Sequence, residues 1–151
     1  MTGGEGGADG VGASAAGSDA DGLLQLRLEG SRIRDIPSLY AELDRVLMVG
    51  VDWRLGASLD ALDDLLHGGF GTLHGHDRAR ILWADHRVAR EALGVEATRE
   101  QLLAKLARPD VYSAETARRR LAALEAGVGP TYFETVLEVF ADHPRIELVL
   151  A

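Results

Sequence analysis

The sequence predicts an α/β fold in which parallel strands pack against helices. Three short segments have the apolar character of strands: Leu24 to Leu28, where leucines alternate with polar residues, Ala79 to Ala84, and Ile146 to Leu150. Between them, apolar residues recur at the three- and four-residue spacing of helices. Strands that alternate with helices along a chain usually pair in parallel, so one parallel sheet is expected.

The composition indicates a single domain with an acidic surface. The chain has 151 residues, 46% of them hydrophobic, and a net charge of −8. Nucleic-acid binding needs clustered Lys and Arg, so this charge argues against it and favours a basic protein partner. No apolar run approaches the roughly 20 residues of a membrane span. With no Cys and no signal-peptide pattern, the expected location is the cytoplasm.

Residues 1–22 are predicted to be a disordered tail, and residues 23–151 to be the folded domain. The tail contains eight of the 18 glycines, together with Ala, Ser and Asp and almost no bulky side chains. Such a segment buries too little apolar surface to offset the entropy that it would lose on ordering.

A helical hairpin is predicted over residues 95–129. Thr98 is followed three residues later by Gln, which is the pattern of a capping box at the start of a helix. Pro109 should end that helix, and Ser113 can cap the next one.

One predicted helix, residues 58–67, has a leucine side and an acidic side. Ser58 can cap its first turn, and Gly68 can adopt the left-handed conformation that closes its last turn. The apolar side consists of Leu59, Leu62, Leu65 and Leu66. The polar side consists of Asp60, Asp63, Asp64 and His67.

The acidic side of this helix has two interpretations. Asp60 and Asp64 are four residues apart, where like charges repel, and no Lys or Arg lies within the helix to pair with either. The face is either simply solvated or presents its carboxylates to a cationic partner. The spacing alone does not decide between these interpretations.

The residues around this helix resemble the signature of the barstar family of intracellular ribonuclease inhibitors. The family pattern G-x-N-L-D-A-L-x-D-x-L-x-G is similar to Gly56-x-x-Leu59-Asp60-Ala61-Leu62-x-Asp64-x-Leu66-x-Gly68. The resemblance covers roughly residues 23–93 and 130–151, and it implies a three-stranded parallel sheet packed with helices. The family's short prototype lacks residues 95–129, which therefore look like an inserted helical hairpin.

The resemblance implies that the chain inhibits a basic ribonuclease of the barnase type by inserting the acidic helix into its active site. Carboxylates would imitate the substrate phosphate, and charge-assisted hydrogen bonds to Arg would hold them. By position in the motif, Asp64 is the principal carboxylate and Asp60 its companion. Gly56 and Leu59 match backbone and apolar contacts, and His67 lies on the same side of the helix as the acids.

The remaining expected contacts depart from the family pattern. Arg54 and Leu55 stand where the family has paired aromatic residues, and Trp53 lies one position away. Asp63 stands where the prototype has Trp, and Asp142 matches an acidic contact on the final helix less closely. These differences leave the identity of the target ribonuclease open.

Two other functions remain open at this point. The same acidic face would suit an immunity protein or antitoxin directed against a different basic toxin. The hairpin would suit a non-inhibitory protein-interaction module. In each case the expected partner is a protein rather than nucleic acid or a membrane, and a monomer is favoured.

An enzymatic or metal-dependent function is not expected. The three aspartates lie on one short helix, whereas two-metal sites draw ligands from several elements. His74 and His76 lie in a glycine-rich loop without the helical spacing or third ligand of a zinc motif. No Cys nucleophile and no G-x-S-x-G motif is present. We therefore expect no catalytic residues, no cofactor and no bound metal.

Overall fold

A four-stranded sheet forms the centre of the fold. The computed structural model describes residues 22–108 and 113–151, together with the backbone of residues 17 and 18. The strands are β1 (Gly17–Ser18), β2 (Leu24–Glu29), β3 (Ala79–Ala84) and β4 (Ile146–Leu150). They lie in that order, with β2, β3 and β4 parallel and β1 antiparallel to β2. The predicted three-stranded parallel sheet is confirmed, and β1 adds a short strand to one edge.

Six α-helices in the described residues pack with this sheet. A short 3-10 helix, Gly30–Arg32, follows β2. The α-helices are α1 (Ile36–Leu47), α2 (Leu59–Leu66), α3 (His86–Ala92), α4 (Val95–Leu106), α5 (Ala114–Glu125) and α6 (Tyr132–Ala141). The predicted α/β class is therefore confirmed. Within the described ranges, no helix has both the length and the apolar character needed to cross a membrane.

Strand β1 lies within the segment that the sequence predicts to be a disordered tail. Apart from residues 17, 18 and 22, that segment lies outside the described residues. Gly17 pairs with Gln25 and Ser18 with Leu24. Strand pairing uses backbone N–H and C=O groups, so it does not need the bulky side chains that this segment lacks. The sequence prediction contains no strand here for that reason.

The hydrophobic core lies where α1, α2 and α6 meet the sheet. Its fully buried side chains include Leu28, Leu39, Leu43, Leu47, Leu62, Leu65, Leu66, Ile81, Trp83, Phe133 and Val136. Burial of each large apolar side chain contributes about 1.5–3 kcal/mol. The three leucines of α2 therefore contribute about 4.5–9 kcal/mol in total, far more than the few tenths of a kcal/mol that like charges four residues apart cost a helix.

The predicted helical hairpin is present, but the prediction that Thr98 caps its first helix is wrong. Helix α4 begins at Val95, with Gly94 as its N-cap, so Thr98 lies inside the helix. The Thr98 hydroxyl donates to the Gly94 carbonyl at 2.7 Å and accepts the Tyr132 backbone N–H at 2.7 Å. It therefore ties the hairpin to the start of α6 instead of capping α4. Pro109, predicted to end this helix, lies outside the described residues.

The hairpin forms a small cluster of its own beside the central core. Its buried apolar residues, Leu102, Ala117 and Leu124, do not belong to the cluster that includes the sheet. Arg99 of α4 also pairs with Glu125 of α5 at 2.7 Å. The two helices pack mainly against each other, and the Ser113 cap predicted for α5 is confirmed.

Candidate partner-binding surface

Helix α2 is held rigidly by its caps and by its leucine side. The Ser58 hydroxyl accepts the Ala61 backbone N–H at 3.0 Å, and Gly68 takes a left-handed conformation with φ of +82°. Both features agree with the sequence prediction. Because the leucine side is buried, the acidic residues of the helix lie on its outer surface.

Asp64 is an exposed carboxylate without an internal partner. No hydrogen bond or ion pair reaches its side chain from any of the described residues. An ionised carboxylate only accepts hydrogen bonds, and both oxygens of Asp64 are therefore available to a cationic donor. Because Asp64 lies on a capped helix whose leucine side is buried, its backbone would lose little conformational entropy on binding.

Asp60 lies in a more cationic environment than Asp64. It lines a groove of about 520 Å³ together with Lys105, Arg108 and Arg120 of the hairpin. Burial lowers the pKa of the Lys105 ammonium, the Arg120 charge lowers it further, and the Asp60 carboxylate raises it. The basic residues of the hairpin therefore partly neutralise the Asp60 charge. The sequence of the helix alone does not reveal this, because those residues are distant in sequence.

Asp63 and His67 contact the end of α6. The His143 Nε2 donates to Asp63 Oδ1 at 2.7 Å, and the His67 Nδ1 lies 2.8 Å from the Asp63 carbonyl oxygen. The His67 and His143 rings meet edge to face, with centroids 4.7 Å apart. His143 is buried and was not among the predicted site residues. It is 80 residues from Asp63, so no local spacing could have revealed the pair.

The loop before α2 separates two residues that were expected to act together. The Arg54 side chain is exposed and lies 3.7 Å from Asp44. The Leu55 side chain is buried in the core, so little of it is left for a partner to contact, and its expected role in binding stays a prediction. The Leu55 backbone N–H donates to Asp44 Oδ1 at 2.9 Å, which holds this residue against α1.

The other expected contacts lie at the two ends of α2. Gly56 is exposed, and Leu59 is half-buried at the edge of the core. Asp142 is exposed at the C-cap of α6. Because its neighbour His143 bonds to Asp63, Asp142 lies near the last turn of α2. The structure thus brings Asp142 close to the acidic helix.

An aromatic pair, exposed at Trp53 and half-buried at Phe70, adjoins α2. Trp53, which is 51% exposed, lies in the loop before α2, and its ring centroid is 5.1 Å from that of Phe70 in the loop after α2. Thr72 joins these loops, since its N–H donates to the Leu47 carbonyl at 2.8 Å and its hydroxyl accepts from the Val49 N–H at 3.3 Å. Trp is enriched among the residues that dominate binding energy at protein interfaces. Trp53 was missing from the predicted contacts because it is offset from the aromatic positions of the motif.

The surface around α2 offers carboxylates and one aromatic pair to a partner. Comparisons with protein-family profiles and with curated proteins gave no match to this chain. Any function must therefore follow from the residues of this surface. Their arrangement suits recognition of a cationic protein surface, in which Asp64 supplies the charge and Trp53 supplies apolar contact area.

Proposed function

We propose that this chain is a barstar-like inhibitor of a basic ribonuclease. In this proposal, α2 enters the active site and the Asp64 carboxylate occupies the place of a substrate phosphate. The observation that carries the proposal is the exposed, unpaired Asp64 on a helix whose leucine side is buried. No bond is made or broken by the inhibitor, since occupying the site is sufficient to exclude RNA.

The proposal follows from what a ribonuclease active site must contain. Binding a phosphodiester requires Arg, Lys or His, and a carboxylate can form strong, charge-assisted hydrogen bonds with the same groups. Removing one member of a desolvated charge pair at an interface costs about 2–5 kcal/mol, largely because its partner is left buried and unpaired. One well-placed Asp can therefore account for much of the selectivity for a cationic site.

The neighbouring residues take supporting roles in this proposal. Asp60 contributes less than Asp64, because Lys105 and Arg120 already lie beside it. Asp142 adds negative charge near the last turn of α2, which favours encounter with a basic protein. Trp53 packs against the partner at the edge of the contact.

A second candidate function uses the hairpin instead of α2. Apolar residues are exposed on α4 and after α5, with Leu103 48% and Val128 81% exposed. Such residues would favour a protein-interaction module that inhibits nothing. An immunity protein against a different basic toxin would use the α2 surface and differs from the main proposal only in the identity of the target.

Titration of a barnase-type microbial ribonuclease with this protein tests the proposal. We expect RNA hydrolysis to fall in proportion to added protein until the two are equimolar. Association should slow as salt rises, since charge attraction is screened over about 10 Å at 0.1 M. Stable binding that leaves RNA hydrolysis unchanged would contradict inhibition and favour the interaction module. Parallel titration of other basic toxins would identify the immunity-protein alternative.

A further inference from the structure

Two imidazoles and a carboxylate converge where α2 and α6 end. Asp63 and His67 are one helical turn apart on α2, and His143 follows the C-cap of α6. One ligand atom from each of these three side chains lies within 4.8 Å of those from the other two. Within the described residues, this is the group whose nitrogen and oxygen atoms are arranged to hold a metal ion.

The hydrogen bond of His67 already orients its ring for metal binding. A carbonyl oxygen only accepts, so the 2.8 Å contact with the Asp63 carbonyl places a proton on His67 Nδ1 and leaves Nε2 with its lone pair. Metal-binding histidines commonly donate their other ring N–H to a carbonyl or carboxylate in this way. The His67 side chain is 65% exposed, so an ion can approach it from solvent.

His143 presents its Nε2 to the same place. This nitrogen is 2.7 Å from Asp63 Oδ1, which is shorter than the separation of two ligands around a metal ion at bond lengths of about 2.0–2.2 Å. An ion bound at Nε2 would displace the proton that His143 donates there, so the imidazole would carry its proton on Nδ1 instead, and the gap would widen by roughly half an ångström. Asp63 is only half-buried, which leaves room for this movement.

The electrostatic surroundings also favour a cation. The C-terminal ends of α2 and α6 meet here, and each carries the partial negative charge of a helix C-terminus. Asp64 and Asp142 add exposed carboxylates nearby. Arg145 opposes this effect in part, since it donates to the His67 carbonyl at 2.9 Å. Its guanidinium bonds to that carbonyl rather than to the ring nitrogens.

We propose that Asp63, His67 and His143 form a binding site for a divalent transition-metal ion of the zinc class. Imidazole nitrogen and carboxylate oxygen are typical zinc ligands, and three protein ligands leave at least one coordination position for water or for a group from a partner. The simpler explanation is that Asp63 and His143 only join α2 to α6 by a hydrogen bond. The two explanations differ in whether zinc binds and in whether His67 matters to binding.

The test is calorimetric titration of the full chain with zinc chloride near neutral pH, after any histidine tag has been removed. We expect one equivalent to bind. Loss of even an outer-shell partner typically weakens metal sites by about 10–100-fold, so His67→Gln should weaken binding by at least about 100-fold. The matched control is His74→Gln, which changes another exposed histidine and should leave zinc binding unchanged.

A spectroscopic measurement separates metal ligation from structural effects. In nitrogen-detected NMR spectra of the imidazoles, zinc should shift the His67 and His143 ring nitrogens and leave those of His74 in place. Because His67 is exposed, His67→Gln should keep the melting temperature of the metal-free protein. The proposal is overturned if zinc does not bind, or if binding persists in His67→Gln. No ribonuclease is present in these measurements, so their outcome is independent of the proposed inhibition.

Discussion

Replacing Glu42 by Gln should destabilise the fold by about 2–3 kcal/mol, because Glu42 is a buried acid that joins three elements. It lies on α1, is 2% exposed, and its Oε2 accepts the Glu29 backbone N–H of β2 at 2.7 Å. Its Oε1 is 2.9 Å from Arg45 Nε and 3.1 Å from Arg32 Nε, the latter in the 3-10 helix. The carboxylate thus joins β2, the 3-10 helix and α1.

The magnitude follows from which contacts survive the change. Gln keeps one acceptor oxygen, so the backbone hydrogen bond from Glu29 can remain, while both guanidinium pairs lose their charge. A hydrogen bond to a charged group contributes about 1.5–3 kcal/mol, so the loss of two would cost about 3–6 kcal/mol, similar to the 3–5 kcal/mol for broken buried pairs. The side chains of Arg32 and Arg45 are 59% and 24% exposed and can be rehydrated, which lowers the expected loss.

Urea unfolding followed by circular dichroism measures this free energy. We expect Glu42→Gln to lower the midpoint with an unchanged slope, since a native-state contact is lost without a change in the surface exposed on unfolding. Glu138→Gln on the exposed surface of α6 is the control and should change stability by less than about 0.5 kcal/mol. A Glu42→Gln protein as stable as this control would refute the role of Glu42 as a structural junction.

Three further outcomes are expected. Gly30→Ala should cost more than about 1 kcal/mol in the same urea assay, since its Cβ would overlap backbone oxygens of Ala84 and Asp85, and an unchanged midpoint would contradict this packing. Changing Arg118, Arg119 and Arg120 to Glu should leave the inhibition constant for the ribonuclease within a few-fold of wild type, because these exposed residues lie on the hairpin. Loss of inhibition would show that the hairpin forms the interface. Hydrogen bonds from the Ser38 hydroxyl and N–H lower the pKa of Asp35 below its ordinary 3.8, so its stabilising effect is present above that pH and declines below it. The difference in melting temperature between wild type and Asp35→Ala should therefore be larger at pH 7 than at pH 3. An equal difference at the two pH values would show that ionisation of Asp35 does not stabilise the fold.

Local periodicity predicted most of the fold because the relevant residues are close in sequence. Strands β3 and β4 begin and end where their apolar runs do, and α2 has both of its predicted caps. Thr98 shows the limit of such patterns. The hydroxyl that was predicted to cap a helix instead accepts the backbone N–H of Tyr132, which is 34 residues away. No local motif predicts a contact between residues so far apart.

The candidate site was predictable only where one helix determines it. The outward placement of Asp64 follows from the spacing of the leucines on its helix. The partner of Asp63 comes from just after α6, and the basic neighbours of Asp60 come from the hairpin. Leu55 was a predicted partner contact because of its place in the motif, but its side chain packs in the core and its N–H donates to Asp44 of α1. The burial of Glu42 could have been predicted from the sequence, since it lies three residues after Leu39 and four before Val46 on the apolar side of α1.

The most direct test of the proposed function compares Asp64→Ala with Asp77→Ala in a titration of a barnase-type ribonuclease. Both variants remove one exposed Asp, but only Asp64 lies on α2. If the Asp64 carboxylate occupies the phosphate position, its loss should raise the inhibition constant by about 30-fold or more, while Asp77→Ala changes it little. The melting temperature of Asp64→Ala should hold or rise slightly, because Ala favours helix and repulsion with Asp60 is relieved. Inhibition by Asp64→Ala as strong as that by wild type would show that the acidic side of α2 is only a solvated face.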